Sequence, residues 1–435
     1  MDSYSLWLVS VAKNLNSLHF LCLFHSFPVY SHIKGEHMPP IAPAVSVQVT
    51  TAAEKSIKKG HPWVYAEAVI KVSREADAGD IAAIFNSKRE FVALGLFDPT
   101  SPIRIRILST KPKTTIDIQW LTSAITSALE KRQKLFDDPD TDGFRLLHGE
   151  NDNIPGLVAD IYRNVLVIKI DTAGWMPHIE LICDIFEGLV KPETIVLRLS
   201  RTVEPAGKYS DGAILRGKPV KGAVVFSENG ILFEADPVKG QKTGFFLDQR
   251  ENRARAGKLA KGRDVLNIFA YNGGFSLYAA QGGAKSVISL DIAPQALEAA
   301  KRNFALNPQL TAKHETICAD AFEAMKHMAD RGRKFGMVIV DPPSFARKQA
   351  DIPNAIAAYE KLTRLAVNLT DKDGILISAS CSARVSSEDF FDAVLKTVRK
   401  SGRKFTETDR TLNAPDHPVG FPEGAYLKCI YLKLS

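Results

Sequence analysis

At 435 residues the chain is too long for one ordinary core, so two or three domains are expected. Hydrophobic residues at 45% and charged residues at 24% are the proportions of a soluble globular protein, which excludes a disordered or membrane-embedded chain. The balance of 56 basic against 49 acidic residues gives +7, which leans toward a polyanionic partner and says nothing about fold.

Residues before Met38 look unlike the rest. The apolar run Leu18 to Phe24 is far short of the span of about 20 residues that crosses a bilayer. The stretch lacks the charged start and small-residue cleavage site of a secretory signal, and has no arginine, against a mitochondrial transit peptide. Residues 1–44 are therefore expected to be a disordered or mis-annotated extension, with Met38 as the natural start. Five scattered cysteines (Cys22, Cys183, Cys318, Cys381, Cys429) form no C-x-x-C and no Cys/His cluster. Neither zinc, nor another metal, nor a disulfide framework is expected; a reducing, cytoplasmic location fits.

Residues 45–112 read as a strand-rich β-barrel domain. Lys55, Lys58 and Lys59 lead into Gly60-His61-Pro62-Trp63-Val64-Tyr65, and strands follow at Val69 to Val72, Ala82 to Phe85, Phe91 to Phe97 and Ile103 to Leu108. In the last, Ile103, Ile105 and Ile107 alternate with Arg104 and Arg106. The plain reading of these arginines is a solvated strand face. The functional one is contact with nucleic-acid phosphates, favoured by the nearby lysines and the net charge.

Residues 113–235 read as a small α+β module. Ile116 to Phe136 is a helix ended by Asp137-Asp138-Pro139. A hairpin joins Leu157 to Tyr162 and Val165 to Ile170 through Arg163-Asn164. A helix from Pro177 to Val190, a strand at Ile195 to Leu199 and a hairpin around Asn229-Gly230 complete it. Nothing in this module demands chemistry.

Residues 236–435 open with Gln241 to Arg253, whose end starts a helix. Val265 to Phe269 is then an apolar run fit for a buried parallel strand. Ala270, Tyr271 and Asn272 lead to Gly273-Gly274, a tight turn that lets backbone approach a ligand. After a short helix, Val287 to Leu290 is a second strand ending in Asp291. A carboxylate about 20 residues past a glycine turn suits the two hydroxyls of an adenosine ribose. No G-x-G-x-x-G cradles a pyrophosphate, so an adenosine ligand without phosphates fits, S-adenosylmethionine foremost. An ordinary crossover without a ligand would look similar.

Helix and strand alternate from there: a helix from Pro294 to Asn307, a strand Glu315 to Cys318, a helix from Phe322, and a strand Gly336 to Val340 that runs into Asp341-Pro342-Pro343-Ser344-Phe345. A helix around Ile356 to Leu369, a strand Ile375 to Ala379 before Ser380-Cys381-Ser382, and a last, antiparallel strand Tyr426 to Leu432 follow. The class is α/β, with a Rossmann-like, mostly parallel sheet and ligands at the carboxyl ends of its strands. Cys318 and Cys429, inside strands, are expected in the core. Asp416-His417-Pro418 reads as turn structure.

Asp341 and Cys381 each follow a strand, and neighbouring strands would hold them about 5 Å apart across one crevice. A thiol can add to C6 of a pyrimidine and make C5 nucleophilic enough to take a methyl group. Asp341 would hydrogen-bond the N3/N4 edge and disperse the charge. Phe345 can stack on a flipped base. The plain alternatives are a packed cysteine, a turn-capping Asp341, and Asp320 as a helix cap rather than an adenine contact.

These motifs carry a family resemblance. The C-terminal part resembles a class I S-adenosylmethionine-dependent methyltransferase. From about Val45 the chain resembles the bacterial large-subunit ribosomal RNA cytosine-C5 methyltransferases, which join a PUA domain to a Rossmann-like catalytic domain. The carriers are the Gly60–Tyr65 motif, Lys242-Thr-Gly-Phe-Phe-Leu-Asp-Gln-Arg250, Phe269-Ala-Tyr-Asn-Gly-Gly-Phe275, Asp341–Phe345, Ser380–Ser382 and Asp416–Pro418. The resemblance implies Cys381 as nucleophile, Asp341 beside the target base, and S-adenosylmethionine as cofactor. The candidate cofactor residues are Asn267, Phe269, Ala270, Tyr271, Gly273, Asp291, Asp320 and Asp341; the candidate RNA contacts are Phe345, Arg104 and Arg106. Ribosomal RNA is the expected partner, with no membrane and with a homodimer left open. Many RNA cytosine methyltransferases carry a second cysteine, used to release product, where Ser344 stands here. Either water or another base takes the C5 proton, or the target is not cytosine C5. Purine N-methylation through the Asp-Pro-Pro motif, and a non-catalytic RNA-binding assembly factor, are the competing readings.

Overall fold

The computed structural model describes residues 43–205 and 209–435. Leu18 to Phe24, Cys22 and Met38 lie outside the described residues. Strands β1 (Pro43–Val49), β2 (Trp63–Tyr65), β3 (Val69–Val72), β4 (Ile81–Phe85), β5 (Phe91–Phe97) and β6 (Ile103–Ser109) form one sheet in the order β2-β6-β5-β4-β1-β3. It curls round an apolar core that includes Val47, Val49, Ala82, Ile84 and Ile105. Helix α1 (Thr51–Lys58) adds Ala53 and Ile57 to that core, and the Thr50 hydroxyl accepts from the Ala53 N–H at its start.

The simple alternation expected along β6 fails. Its register against β5 shifts at Leu94/Gly95, and Arg106 is turned inward, 4% exposed. Its guanidinium donates to the Ile103 and Asp171 carbonyls at 3.3 and 3.1 Å, and lies 3.9 Å from Glu150. Arg106 therefore ties the first sheet to the next part of the chain and presents no charge to a phosphate.

The middle part is a five-stranded sheet in the order β11-β10-β9-β8-β7, built from β7 (Gly143–His148), β8 (Leu157–Tyr162), β9 (Val165–Ile170), β10 (Thr194–Leu199) and β11 (Ile214–Gly217). The hairpin through Arg163-Asn164 is present, with Arg163 in the left-handed region. The single helix expected from Ile116 to Phe136 is two, α2 (Ile118–Glu130) and α3 (Gln133–Phe136), because Arg132 leaves the helical region at the junction and drives its side chain inward. There it pairs with both oxygens of Asp152, at 2.9 and 2.7 Å. Helix α4 (Ile179–Leu189) packs its apolar face on the same core. The hairpin of β12 (Val224–Glu228) and β13 (Ile231–Ala235) shares a core with Tyr162, Phe245, Leu277 and Tyr278, so it joins the middle sheet to the last.

The last sheet has the order β16-β15-β14-β17-β18-β20-β19. Its strands are β14 (Asp264–Ile268), β15 (Ser286–Asp291), β16 (Lys313–Cys318), β17 (Phe335–Val340), β18 (Thr370–Ser380), β19 (Phe405–Thr411) and β20 (Lys428–Leu434). The first five run parallel; β20 is antiparallel to β18 and β19. Helices α5 (Arg250–Leu259), α6 (Gly274–Gln281), α7 (Pro294–Ala305), α8 (Ala321–Asp330), α9 (Ile352–Leu369) and α10 (Ser387–Lys400) flank it. Helices α5 and α6 touch backbone to backbone: a side chain on Gly282 would meet the Gly257 carbonyl oxygen at 1.8 Å. Cys429 is buried as expected, but Cys318 is exposed, because it ends the edge strand β16 rather than a central one.

The expected turn at Asp416-His417-Pro418 is present, closed by the His417 N–H on the Ala414 carbonyl at 2.8 Å, but Asp416 and His417 are both buried in it. Asp416 accepts both arms of the Arg250 guanidinium at 3.0 and 2.9 Å and the Arg145 N–H at 3.1 Å. Its carbonyl accepts from Arg132 at 2.8 Å. The C-terminal loop, α5, the middle sheet and the α2–α3 junction thus meet at one residue, three of them at its carboxylate and the junction at its carbonyl. Removing one partner of such a pair strands a buried charge. Asp416→Ala is expected to cost about 3–5 kcal/mol, read as a lower urea midpoint than wild type.

Candidate active site

The carboxyl ends of β14, β15, β17 and β18 open on one crevice, where the chain leaves β14 for one side of the sheet and later returns on the other. After β14 the backbone is in the left-handed region at Phe269, Tyr271 and Gly273, with φ of 60°, 49° and 82°. Positive φ at two bulky residues is strained and clusters at binding sites. Asp291 holds this turn: its Oδ2 accepts the Tyr271 N–H at 2.8 Å and its Oδ1 the Ala293 N–H at 2.9 Å. Gly273 starts α6, and a side chain there would crowd Ala300 at 3.0 Å.

Asn267 does not belong to this edge. It is 1% exposed and its amide donates to Ser276, which bonds Ser289 in turn. Strand alternation aims it at α6 instead of the crevice. Asp320 is exposed and caps α8, accepting the Glu323 N–H at 3.1 Å.

Asp341 and Cys381 stand directly beyond the parallel neighbours β17 and β18, whose register pairs Val340 with Ser378. The Gln249 amide donates to Asp341 at 2.8 Å, and Asn252 holds Gln249 at 2.6 Å. Burial, with the Asp248 carboxylate second, pushes the Asp341 carboxyl up to about 7 against the pull of Lys242 and Gln249. Burial, with Asp341 second, pushes the Cys381 thiol up to about 11 against Lys242. The thiol sits 3.8 Å from the Pro342 carbonyl.

The residues either side of Cys381 are locked. Tyr359 bonds the hydroxyls of Ser380 and Ser382 at 2.8 and 3.0 Å, and the Lys428 ammonium donates to the Ser382 and Val385 carbonyls, each at 2.6 Å. Phe345 is half-buried, its ring 5.2 Å from that of Tyr359. Ser344 bonds the Ser382 hydroxyl at 3.0 Å and the Ala346 carbonyl at 3.2 Å. Arg104 donates to the Asp98 carbonyl at 3.2 Å from a half-buried position on the first sheet.

A second charged pair reaches the crevice from the segment before α5. Lys242, left-handed at φ 54°, lies 2.5 Å from Asp248, which also accepts from the Tyr426 hydroxyl at 2.8 Å. The Lys242 ammonium sits 4.4 Å from the Phe246 ring centre, and Phe246 meets Tyr271 edge-on at 5.1 Å. Lys242, Asp248, Gln249 and Tyr426 were missed as site residues. For the first three the signal was the run Lys242 to Arg250, where charged and amide side chains interrupt an apolar stretch; Tyr426 had none.

Residues 145–433 match the family described as S-adenosylmethionine-dependent methyltransferase, and residues 47–110 match a PUA-like domain. The chain belongs to the S-adenosylmethionine-dependent methyltransferases. The methyltransferase is 46% identical over 401 residues to the "Ribosomal RNA large subunit methyltransferase" of Deinococcus radiodurans, covering 91% of this chain and 98% of the relative. It is 34% identical over 394 residues to the "Ribosomal RNA large subunit methyltransferase I" of Tolumonas auensis, covering 90% and 99%. A solved S-adenosylmethionine-dependent methyltransferase from Streptococcus mutans shares the fold, with a TM-score of 0.77 at 22% identity over 89% of this chain and 99% of that one. A further solved methyltransferase with the same TM-score, 23% identical over 89% and 99%, is complexed with SAH.

The methyltransferase takes S-adenosylmethionine as cofactor, and the crevice fits it. Each Asp291 oxygen takes one backbone N–H and keeps a lone pair for a ribose hydroxyl. Ile292 beside it is 68% exposed, an apolar side chain free to cover an adenine face. Hydrogen bonds to a charged acceptor are worth about 1.5–3 kcal/mol. Asp291→Ala is therefore expected to weaken S-adenosylmethionine binding by about 10- to 100-fold in titration calorimetry.

Proposed function

We propose that this methyltransferase methylates C5 of a cytosine in large-subunit ribosomal RNA through a covalent bond between Cys381 and C6. The observation that carries the reading is a thiol and a carboxyl just beyond two neighbouring parallel strands, with burial pushing the carboxyl up to about 7. N3 of cytosine is an acceptor, so a protonated Asp341 matches it; N3 of uracil carries a hydrogen and would not. As Sγ adds to C6, the ring's electrons move to N3, which takes the Asp341 proton, and C5 becomes nucleophilic. S-adenosylmethionine supplies the methyl group. Gln249 keeps Asp341 turned to the base, and the Ser380 and Ser382 locks hold Cys381 in line.

Ribosomal RNA as substrate is supported by the printed names of the relatives, by the PUA-like domain and by the net charge of +7. With Arg106 committed inside, Arg104 and the lysines of α1 remain for the phosphates of this RNA. A cytoplasmic location follows from that substrate. Among the described residues no helix is long and apolar enough to cross a membrane.

RNA carrying 5-fluorocytosine, whose C5 fluorine cannot leave as a proton, is expected to trap a stable protein–RNA adduct. Cys381→Ala should form no adduct and no methylated product; a variant that still methylates would instead indicate purine N-methylation. The pair also sets a pH profile. Below about 7 it carries two protons, between about 7 and about 11 one, and above about 11 none. Attack uses the one-proton form, as thiolate plus carboxylic acid. Adduct formation should therefore rise with pH through about 7 and fall above about 11, and Asp341→Asn should lose the rise at about 7 and leave only the one that follows ionisation of the thiol.

A further inference from the structure

The methylated adduct must lose the C5 proton before the thiol can leave, and the Asp-Pro-Pro motif is followed by Ser344 and not by a second cysteine that could take it. The Ser344 hydroxyl is turned away onto Ser382 and the Ala346 carbonyl. The Lys428 ammonium is spent on two carbonyls, and Asp341 is needed at N3. His148 is buried and bonded to Arg145 at 2.8 Å. His417 faces the Asp416 carboxylate at 3.1 Å, which leaves one carboxylate among the described residues of this pocket. Asp248 is 3% exposed, and both of its hydrogen bonds, from Lys242 and Tyr426, fall on Oδ2. Its Oδ1 is buried with no partner, a costly arrangement unless something occupies that oxygen during the reaction. Asp248 directly precedes Gln249, whose amide donates to Asp341 at 2.8 Å, so it borders the same pocket.

We propose that Asp248 takes the C5 proton in the release step, through Oδ1. This rests on the cytosine-C5 reading above and assigns the step that reading leaves open. The C5–H bond breaks and its electron pair becomes the C5=C6 double bond. The C6–Sγ bond breaks as that double bond forms, Sγ leaves as thiolate, and N3 returns its proton to Asp341. The methylated adduct is cationic, which makes its C5 proton acidic, so a weak base is sufficient. Against the upward push of burial, Lys242, His417 and the Tyr426 hydroxyl hold Asp248 well below the usual carboxylate range, with Arg145 nearby. The captured proton therefore passes on readily, with the half-exposed Lys242 at the way out to solvent.

The test uses the full chain, S-adenosylmethionine and RNA with ordinary cytosine. In Asp248→Asn, a denaturant-stable adduct bearing the methyl group should accumulate, with release slowed by at least about 100-fold and adduct formation retained. Added formate should speed release from Asp248→Gly. Release at the wild-type rate, or a folded variant that forms no adduct, overturns the proposal. A check that needs no variant is the pH dependence of release in the wild-type protein. It should be flat from about pH 5 to about pH 9, whereas loss of release on the acid side would assign the step to a histidine such as His417. If the wild-type protein gives no adduct with 5-fluorocytosine, the cytosine-C5 reading itself fails. If it does, and Asp248→Asn releases normally, only the role of Asp248 fails.

Discussion

Arg250 and Asp416 are 166 positions apart in the chain, yet the rest of the site is registered by their contact. Two charges taken out of water are stable only if nearly every lone pair and proton finds a partner. Asp416 meets that demand with Arg250, the Arg145 N–H and, through its carbonyl, Arg132. Three stretches of chain are therefore held where that network can close. Gln249 immediately precedes Arg250, so fixing the guanidinium also fixes the amide that holds Asp341. The middle module matters to the site because it supplies Arg145 and Arg132.

The crevice then separates two carboxylates by environment. Asp341 and Asp248 lie close enough to repel, and both are buried. Asp248 has an ammonium and a phenol on one oxygen and stays ionised. Asp341 has only an amide and keeps its proton to about pH 7. Two side chains of one type thereby become an acid and a base at the same pH, which is how one pocket can both give a proton to a ring and take one from it. Like charge between Asp341 and Cys381 adds a second constraint: the pair favours a single negative charge, so making the thiolate and keeping the acid protonated are one event.

How much of this is legible in the sequence follows the physics of burial. The strands β14, β15, β17 and β18 are buried on both faces and read as apolar runs, so their order and their carboxyl ends, with Asp291, Asp341 and Cys381, can be anticipated. Strand β19 is polar and at the sheet edge, and nothing in Phe405–Thr411 marks it locally. Strand β7 hides because Arg145 and His148 are buried inside it, paired with Asp160 and Asp416 from elsewhere in the chain. Helix α10 is different: Phe390, Phe391, Val394, Leu395 and Val398 fall at helical spacing after the Ser386 cap, a readable signal left unassigned. Arg106 and Asn267 fail for one reason. Side-chain alternation says which face a residue takes but not what covers that face, the Asp171 carbonyl for Arg106 and Ser276 of α6 for Asn267.

Strain ties the two halves of the crevice together. Lys242, Phe269 and Tyr271 all hold positive φ without being glycine, a conformation that costs free energy and persists only where surrounding contacts impose it. For Tyr271 the imposed contact is the bond from its N–H to Asp291; for Lys242 it is the ion pair with Asp248. Phe246 touches both, carrying the Lys242 ammonium on its face and meeting the Tyr271 ring edge-on. The cofactor turn and the charged pair that borders the thiol therefore share one aromatic ring. Neither strained turn can relax without disturbing the packing of the other, so the turn held by Asp291 and the turn held by Asp248 are built as a single rigid unit.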